Sequence, residues 1–426
     1  MDTPDLTWML APHLDDLVVL RRDLHAHPEV GRAEQRTTKV VAQRLADAGL
    51  EPRLLPGTGL VCDVGEGETA LALRADLDAL PLADETGSPY ASVTDGVAHA
   101  CGHDVHTAVV VGAGLVLAAA AREGRLDGRV RLVFQPAEEA TPGGALDVMA
   151  GGGMDGVHGI LALHCDPHTD VGLVGLRVGA MTSAADHVMV RLRGDGGHTS
   201  RPHLTGDLVF ALAQVVTGVP AVLSRRLDPR AGVSLVWGRA IAGGAPNAIP
   251  RSGFVEGTLR CLDAGAWEQA GGLLAEAVAD VVRPYGVKAE LEHTRGVPPV
   301  VNDAAYVALL EEAARGELGA SCVVPTEQSL GGEDFSWYLA EVPGAMARLG
   351  TRTPGGPTFD LHRGDFDVDE RAIAVGVRLL AAAALRAAAA RPGDPADLAP
   401  AVAGAAYGAV PVAEAPGRGT GHVADR

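Results

Sequence analysis

The sequence predicts an α/β fold, a central sheet with flanking helices, interrupted by an inserted α+β segment of ferredoxin-like order. Three observations carry this. Apolar strands recur with helices between them, and three of them lead into polar residues: Asp76, the pair Glu138 and Glu139, and His164. Such alternation builds an α/β sheet whose strand ends gather polar groups along one edge. From about Ala180 the pattern changes to β-α-β-β-α-β, the ferredoxin-like arrangement. After Gly296 the first pattern resumes.

Taken in order, residues 14–24 read as an amphipathic helix that Pro28 stops. Residues 37–48 read as a second, closed by Gly49 at its C-terminus. Residues 59–64 and 70–73 read as a pair of strands. The second runs into Arg74-Ala75-Asp76-Leu77-Asp78, two acids and an arginine just past a buried strand, where open α/β sheets place ligand sites. An Ala-rich run over 107–121 reads as a helix, and 129–135 as a strand broken at Pro136. A short helix over 141–150, a glycine connector and a third apolar strand over 159–164 follow. The inserted segment has strands over 186–193, 233–241, 253–261 and 288–293, with helices over 207–225 and 266–283. A helix over 303–315, a strand over 345–349 and a helix over 370–390 complete the chain. From Pro392 it is Pro, Ala and Gly without pattern and reads as a disordered tail. The expected organisation is a discontinuous unit of 1–182 and 297–391, an insert of 183–296, and the tail 392–426.

The totals narrow the function. At 426 residues the chain is too long for most single cores. Its formal charge of −19 argues against nucleic acid, which basic patches hold. No unbroken apolar run of about 18 residues occurs, so no membrane span is expected. Five scattered cysteines make no disulfide framework. A cytoplasmic enzyme with reduced thiols is the expectation.

The densest cluster of chemistry is His99-Ala100-Cys101-Gly102-His103-Asp104-Val105-His106. Cys101 and His103 are the ligand-type residues in it, and Glu139, His164 and His362 complete a candidate set. Two divalent ions roughly 3.5–4 Å apart need about this many side chains. Glu138 is left over as a proton acceptor. Adjacent side chains in an extended or turning backbone point different ways, so Glu139 can face an ion while Glu138 faces a substrate. Thiolate, imidazole and carboxylate together suit Zn²⁺ or another late divalent ion, with Mn²⁺, Co²⁺ or Ni²⁺ also compatible. Asp76 and Asp104 fit a role in orienting ligand imidazoles. His99 and His106 read as packing or hydrogen-bonding residues, and His25 and His27 as structural helix-end histidines.

These residues carry a resemblance. The segments Leu24-His25-Ala26-His27-Pro28-Glu29, 74–81, 99–106, 134–139, Gly197-His198 with Pro202-His203, Gly243-Gly244 with 247–250, Gly257-Thr258-Leu259-Arg260, Glu333-Asp334-Phe335 and Leu361-His362 resemble, in order, the dinuclear metallo-aminoacylase and carboxypeptidase family. The branch is that of hippurate hydrolase and the indole-acetyl-amino-acid hydrolases, and the match spans roughly residues 15–390. The resemblance implies two metal ions held by Cys101, His103, Glu139, His164 and His362, with Glu138 moving the proton and Asp76 supporting a ligand. It implies that His198 stabilises the oxyanion, often in a partner subunit's site, and that Asn247 and Arg260 hold the substrate carboxylate. A homodimer or homotetramer through the insert and a small N-acyl amino acid substrate follow from it. Arg363-Gly364-Asp365 departs from the branch, which often has a small residue and Pro there. Competing readings are a dipeptidase or carboxypeptidase, a deacetylase of N-acetyl-diaminopimelate, a cysteine hydrolase built on Cys101, and a degenerate homologue that binds without turnover.

Overall fold

The structure is a computed structural model that describes residues 5–389. The tail expected from residue 392 lies outside the described residues. Helices α1 (Leu6–Leu10), α2 (Leu14–Ala26) and α3 (Gln35–Asp47) lead into strands β1 (Pro52–Leu54), β2 (Leu60–Gly65) and β3 (Thr69–Asp76). Helix α4 (His103–Arg122), β4 (Arg129–Gln135), α5 (Ala145–Ala150), β5 (Ile160–Asp170), β6 (Val174–Leu176) and β7 (Gly179–Ala180) follow. Next come β8 (Ala184–Arg193), β9 (Gly197–His198), α6 (Leu208–Arg226), β10 (Ser234–Ala242), β11 (Ala248–Ile249), β12 (Ser252–Cys261), α7 (Ala264–Val282) and β13 (Lys288–Val297). The chain continues through β14 (Val301–Asn302), α8 (Ala304–Leu318), β15 (Val323–Pro325), α9 (Ser336–Leu339), β16 (Gly344–Arg352) and α10 (Arg371–Ala389).

The main sheet has the order β1-β2-β4-β3-β5-β16-β6-β15. Its centre, β4-β3-β5-β16, is parallel. The strands alternate between two cores, as a pleat requires. Leu71, Leu73, Leu132, Phe134, Leu161 and Leu163 pack with α2, α4, α8 and α10 on one face. Ala72, Val133, Ile160 and Ala162 pack with α5 and α9 on the other.

Two expectations are corrected here. The strands expected over 59–64 and 70–73 do not pair. β2 pairs antiparallel with β4, and β3 lies on the far side of β4, parallel to it and to β5. All eight residues of β3 are buried. A strand apolar on both faces belongs in the middle of a parallel sheet rather than in a hairpin near its rim. The helix expected over 141–150 starts only at Ala145, because Gly143 turns left-handed (φ 98°) before it.

A second sheet, β10-β12-β8-β13, is antiparallel throughout. It has its own core, in which Val188, Val190, Leu192, Val255 and Leu259 meet α6 and α7. Trp267 of α7 and Trp337 of α9 stand 6.3 Å apart where the two layers meet.

By length and composition alone, α4, α6 and α10 could each cross a membrane, a point missed by asking for an unbroken apolar run. Here 83% of the apolar window of α4 and 67% of that of α10 are buried within the protein.

Asp186 ties the second sheet together. Its buried carboxylate accepts from Trp267 Nε1 (2.9 Å), His293 Nε2 (2.7 Å) and the Gly296 N–H (3.0 Å). Burial alone would raise its pKa, but these donors outweigh burial and hold it below the ordinary carboxylate value. A depressed pKa stabilises the fold above the unfolded value and stops doing so as pH falls through the folded one. Asp186→Ala is therefore expected to cost about 2–4 kcal/mol at pH 7, since it strands buried donors. The gap to wild type should narrow below about pH 3.9, and urea unfolding followed by tryptophan fluorescence at pH 7 and pH 3 checks both.

Candidate metal centre

Three strand ends and two turns converge on one cleft. Gly102 precedes α4 with φ 89°, which leaves Cys101 on the incoming turn and His103 as the first residue of the helix. A Cβ at Gly102 would lie 2.7 Å from Cys165 Sγ, so this close approach needs glycine. His103 Nδ1 donates to the Asp78 carbonyl (2.8 Å), which leaves Nε2 to face Glu138 and Glu139. That Nε2 is buried and has no hydrogen-bond partner among the described residues.

Past β4, Ala137 adopts a left-handed conformation (φ 53°) that few non-glycine residues take, at a cost on the order of 1–3 kcal/mol. Asp78 holds the strained turn. One carboxylate oxygen accepts from the Glu138 N–H (3.0 Å), and the other accepts from the Glu139 N–H (2.9 Å). Glu34 accepts from the Ala137 N–H (2.7 Å). His164, in β5, donates from Nδ1 to the Cys165 carbonyl (2.8 Å), and its Nε2 lies 3.5 Å from Cys101 Sγ. His362 is also left-handed (φ 61°). Its N–H donates to the Ala100 carbonyl (2.8 Å), and its Nε2 lies 3.2 Å from Glu139 Oε1.

All five candidate ligands thus meet. Ligand atoms of Cys101, Glu139 and His362 lie within 4.8 Å of one another, and so do those of His103, Glu138 and Glu139. Glu139 belongs to both groups, and its Oε1 is buried without a hydrogen bond. Orphaned buried atoms on His103 and Glu139, beside a thiol and two more imidazoles, fit a pair of divalent cations. The electrostatics agree. The neighbouring Cys101 and then Glu139 push the His362 pKa up to about 10. Burial, then the charges of Glu333, Glu139 and Asp334, push Glu138 well above the ordinary carboxylate range. Burial and then Arg348 push His164 well down, which keeps it neutral and able to ligate.

Behind the cleft, buried Arg74 donates to Gln135 (2.9 Å), Asp76 (2.6 Å) and Asp334 (2.9 Å), and lies 3.2 Å from Glu333. Asp334 also accepts from Gln135 Nε2 (2.7 Å) and the Ala145 N–H (2.9 Å).

Other expected site residues lie differently. Asp76 does not orient His103, whose Nε2 is 3.7 Å away. It accepts from His106 Nδ1 (2.7 Å) instead, while His106 Nε2 accepts from the Cys165 N–H (2.9 Å). Asp104 orients no candidate ligand. It pairs with buried Arg21 (2.7 Å) and His25 (2.8 Å), because its side chain points to α2. His198 and Asn247 are exposed and sit together on the β9–β11 ribbon, where the Thr199 N–H donates to the Asn247 carbonyl (3.2 Å). Neither lines the cleft. Arg260 donates to the Leu330 carbonyl, at the seam next to the cleft residue Gly331. Asp78 is the functional residue the sequence reading missed, although it falls in the acid-rich run after β3.

The cleft holds about 340 Å³ and includes Cys101, Glu138, Glu139, His164 and His362 in its lining. A roomier groove of about 1150 Å³ along β1 and β2 has arginines and carboxylates but none of these donors. Residues 72–386 match the model of peptidase family M20/M25/M40. The chain belongs to that family. An N-acetyl-L-cysteine deacetylase of Bacillus subtilis is 36% identical over 362 residues, 84% of each chain. A Rhodococcus jostii protein provisionally named glutamate–cysteine ligase 2-3 is 52% identical over 385 residues, 89% of this chain and 48% of its own length. This chain therefore spans about half of that relative. The solved structure of a dinuclear metal-binding M20 peptidase of B. subtilis superposes with a TM-score of 0.77 at 32% identity, covering 88% of this chain and 98% of the other. This M20 member is a hydrolase of amide bonds whose cleft gathers candidate metal-binding residues.

Two outcomes follow. Asp78→Asn puts an amide NH₂ against one of the two backbone N–H groups. Metal affinity or turnover should fall about 10- to 100-fold, read by metal analysis and steady-state rates. Ligation requires neutral His362, which in the metal-free protein holds its proton between its ordinary value of 6.5 and about pH 10. Metal binding at pH 8 should then release about one proton or more, and the release should fall by the His362 share at a pH above its raised pKa. Titration calorimetry in buffers of different ionisation enthalpy measures this.

Proposed function

We propose that the chain hydrolyses N-acyl amino acids to a carboxylic acid and a free amino acid. The observation that carries this reading is Glu138, a carboxyl with a raised pKa in a cleft lined by Cys101, Glu139, His164 and His362, with His103 beside it. Bound divalent ions, held by Cys101, His103, Glu139, His164 and His362, would polarise the amide carbonyl and make water a better nucleophile. Glu138 takes the proton from the attacking water on its carboxylate and returns it to the departing amine nitrogen, so the amide C–N bond breaks without releasing an unprotonated amine. Burial and the neighbouring carboxylates raise its pKa, the direction in which a carboxyl becomes able to hold and return a proton. Asp78 keeps Glu138 and Glu139 divergent, one for the proton and one for the cation.

The second sheet, residues 183–296, serves in this proposal as lid and dimer face. His198 and Asn247 share an exposed ribbon outside the cleft of their own chain, which suits residues delivered by closure or by a partner subunit. Edge strand β10 carries exposed Val236 and Ile241, and α6 carries exposed Phe210, apolar side chains along one end of the sheet that a second copy would cover.

N-acetylcysteine is the first substrate to try, because a relative named for its deacetylation aligns over most of this chain. Chelation should abolish turnover, and Zn²⁺, Mn²⁺ or Co²⁺ should restore it. Full activity after chelation and dialysis would refute the metal site. Glu138→Gln should retain metal while kcat drops about 10²- to 10⁴-fold; near-normal turnover would remove Glu138 as the base. A panel of N-acetyl amino acids, hippurate and dipeptides separates this reading from a peptidase.

A further inference from the structure

The metal cleft has a neighbour. A second cavity of about 400 Å³ lies beside it, and Ser329, Arg348 and Leu361 line both. Arg348 stands on β16 in register with His164 on β5. Residues side by side on neighbouring strands project from the same face of a sheet. The two side chains therefore leave the sheet together, one toward the candidate metals and the other between the two cavities.

Arg348 is half-buried and, among the described residues lining the two cavities, is the one arginine or lysine. Its guanidinium makes no hydrogen bond or ion pair with any described residue. The other nearby arginine, Arg74, is fully engaged by Asp76, Glu333 and Asp334. Of the three acids that line the outer cavity, Glu327 is exposed to solvent and the other two are engaged elsewhere. Asp166 accepts from the His168 N–H (2.9 Å) and the Thr169 hydroxyl (2.7 Å), and Asp360 accepts from the Leu361 N–H (2.9 Å). A guanidinium drawn partly out of water without a partner has lost hydration and gained no hydrogen bond in return. Its planar fork is the group that best matches a carboxylate.

We propose that the second cavity is a substrate subsite, and that Arg348 selects there for a carboxylate additional to the α-carboxylate of the substrate. This rests on the N-acyl amino acid reading above and adds a substrate class to it. The extra carboxylate can sit on the acyl chain, as in an N-succinyl amino acid, or on the amino-acid side chain, as in N-acetyl-glutamate. Arg348 is a specificity residue in either case.

The test compares kcat/KM for N-acetyl-alanine, N-acetyl-glutamate and N-succinyl-alanine with the metal-loaded wild type, Arg348→Gln and Arg348→Lys. Wild type is expected to prefer one dicarboxylate over N-acetyl-alanine. In Arg348→Gln the ratio of that dicarboxylate to N-acetyl-alanine should fall about 10- to 100-fold, as for loss of a charged hydrogen bond. Most of the change should lie in KM, and Arg348→Lys should recover part of it. Whichever dicarboxylate loses its advantage identifies where the carboxylate sits. The subsite is overturned by a wild type that cleaves N-acetyl-alanine without preferring either dicarboxylate, or by a ratio that Arg348→Gln leaves unchanged. It is also overturned if Arg348→Gln lowers all three rates together with metal content, since Arg348 would then act only through His164. A metal-loaded wild type that cleaves N-acetylcysteine or hippurate but none of the three overturns the subsite alone, and one that cleaves none of the five overturns the N-acyl amino acid function itself.

Discussion

One residue joins the parts of the centre. Asp78 uses its carbonyl to orient His103 and its two carboxylate oxygens to hold the N–H groups of Glu138 and Glu139. Three side chains from two distant segments are thereby fixed against a third, with no freedom left in the turn between them. The cost is local. Ala137 is forced into a left-handed conformation, and Gly102 is required beside Cys165. Such strain persists only where surrounding bonds over-determine it, and here Glu34 and Asp78 do so.

Around that joint the charges are layered. The innermost layer is made of ligand-type groups: Glu139 and the sulfur of Cys101, with Glu138 beside them. Behind it, Arg74 neutralises Asp76 and Asp334 and approaches Glu333, which lets so many carboxylates share a buried wall. Asp104, the residue after His103 on α4, forms a separate buried pair with Arg21, completed by His25. That pair docks α2 onto α4 and leaves the ligands untouched.

Much of this was legible in the sequence, for a physical reason. Apolar strands that end in Asp, Glu or His announce a sheet edge, because buried ionisable groups are too expensive to occur there without a task. Cys101, His103, Glu139, His164 and His362 all follow from that rule together with the family resemblance. The roles of Asp76, Asp78 and Asp104 did not follow, because residue type cannot show whether a carboxylate or a backbone carbonyl meets a given imidazole. The orienting bond to His103 comes from the Asp78 backbone, which any residue could offer. Strand neighbours were equally hidden: β2 and β3 are adjacent in the chain, yet β4 lies between them because burial on both faces outranks a short connection.

The parallel pairing of β5 with β16 has a consequence in time. The two strands flank each other from Ile160 to Asp170 and from Gly344 to Arg352, and the whole second sheet is made between them. A ribosome delivers Cys101, His103, Glu139 and His164 long before it delivers β16 and His362. Until then the inner edge of β5 is open and the thiol, imidazoles and carboxylates have no closed pocket. Long-range pairings of this kind form late. The order of synthesis therefore favours maturation of the centre as one of the last events in folding, after the intervening sheet has had the chance to fold around its own core.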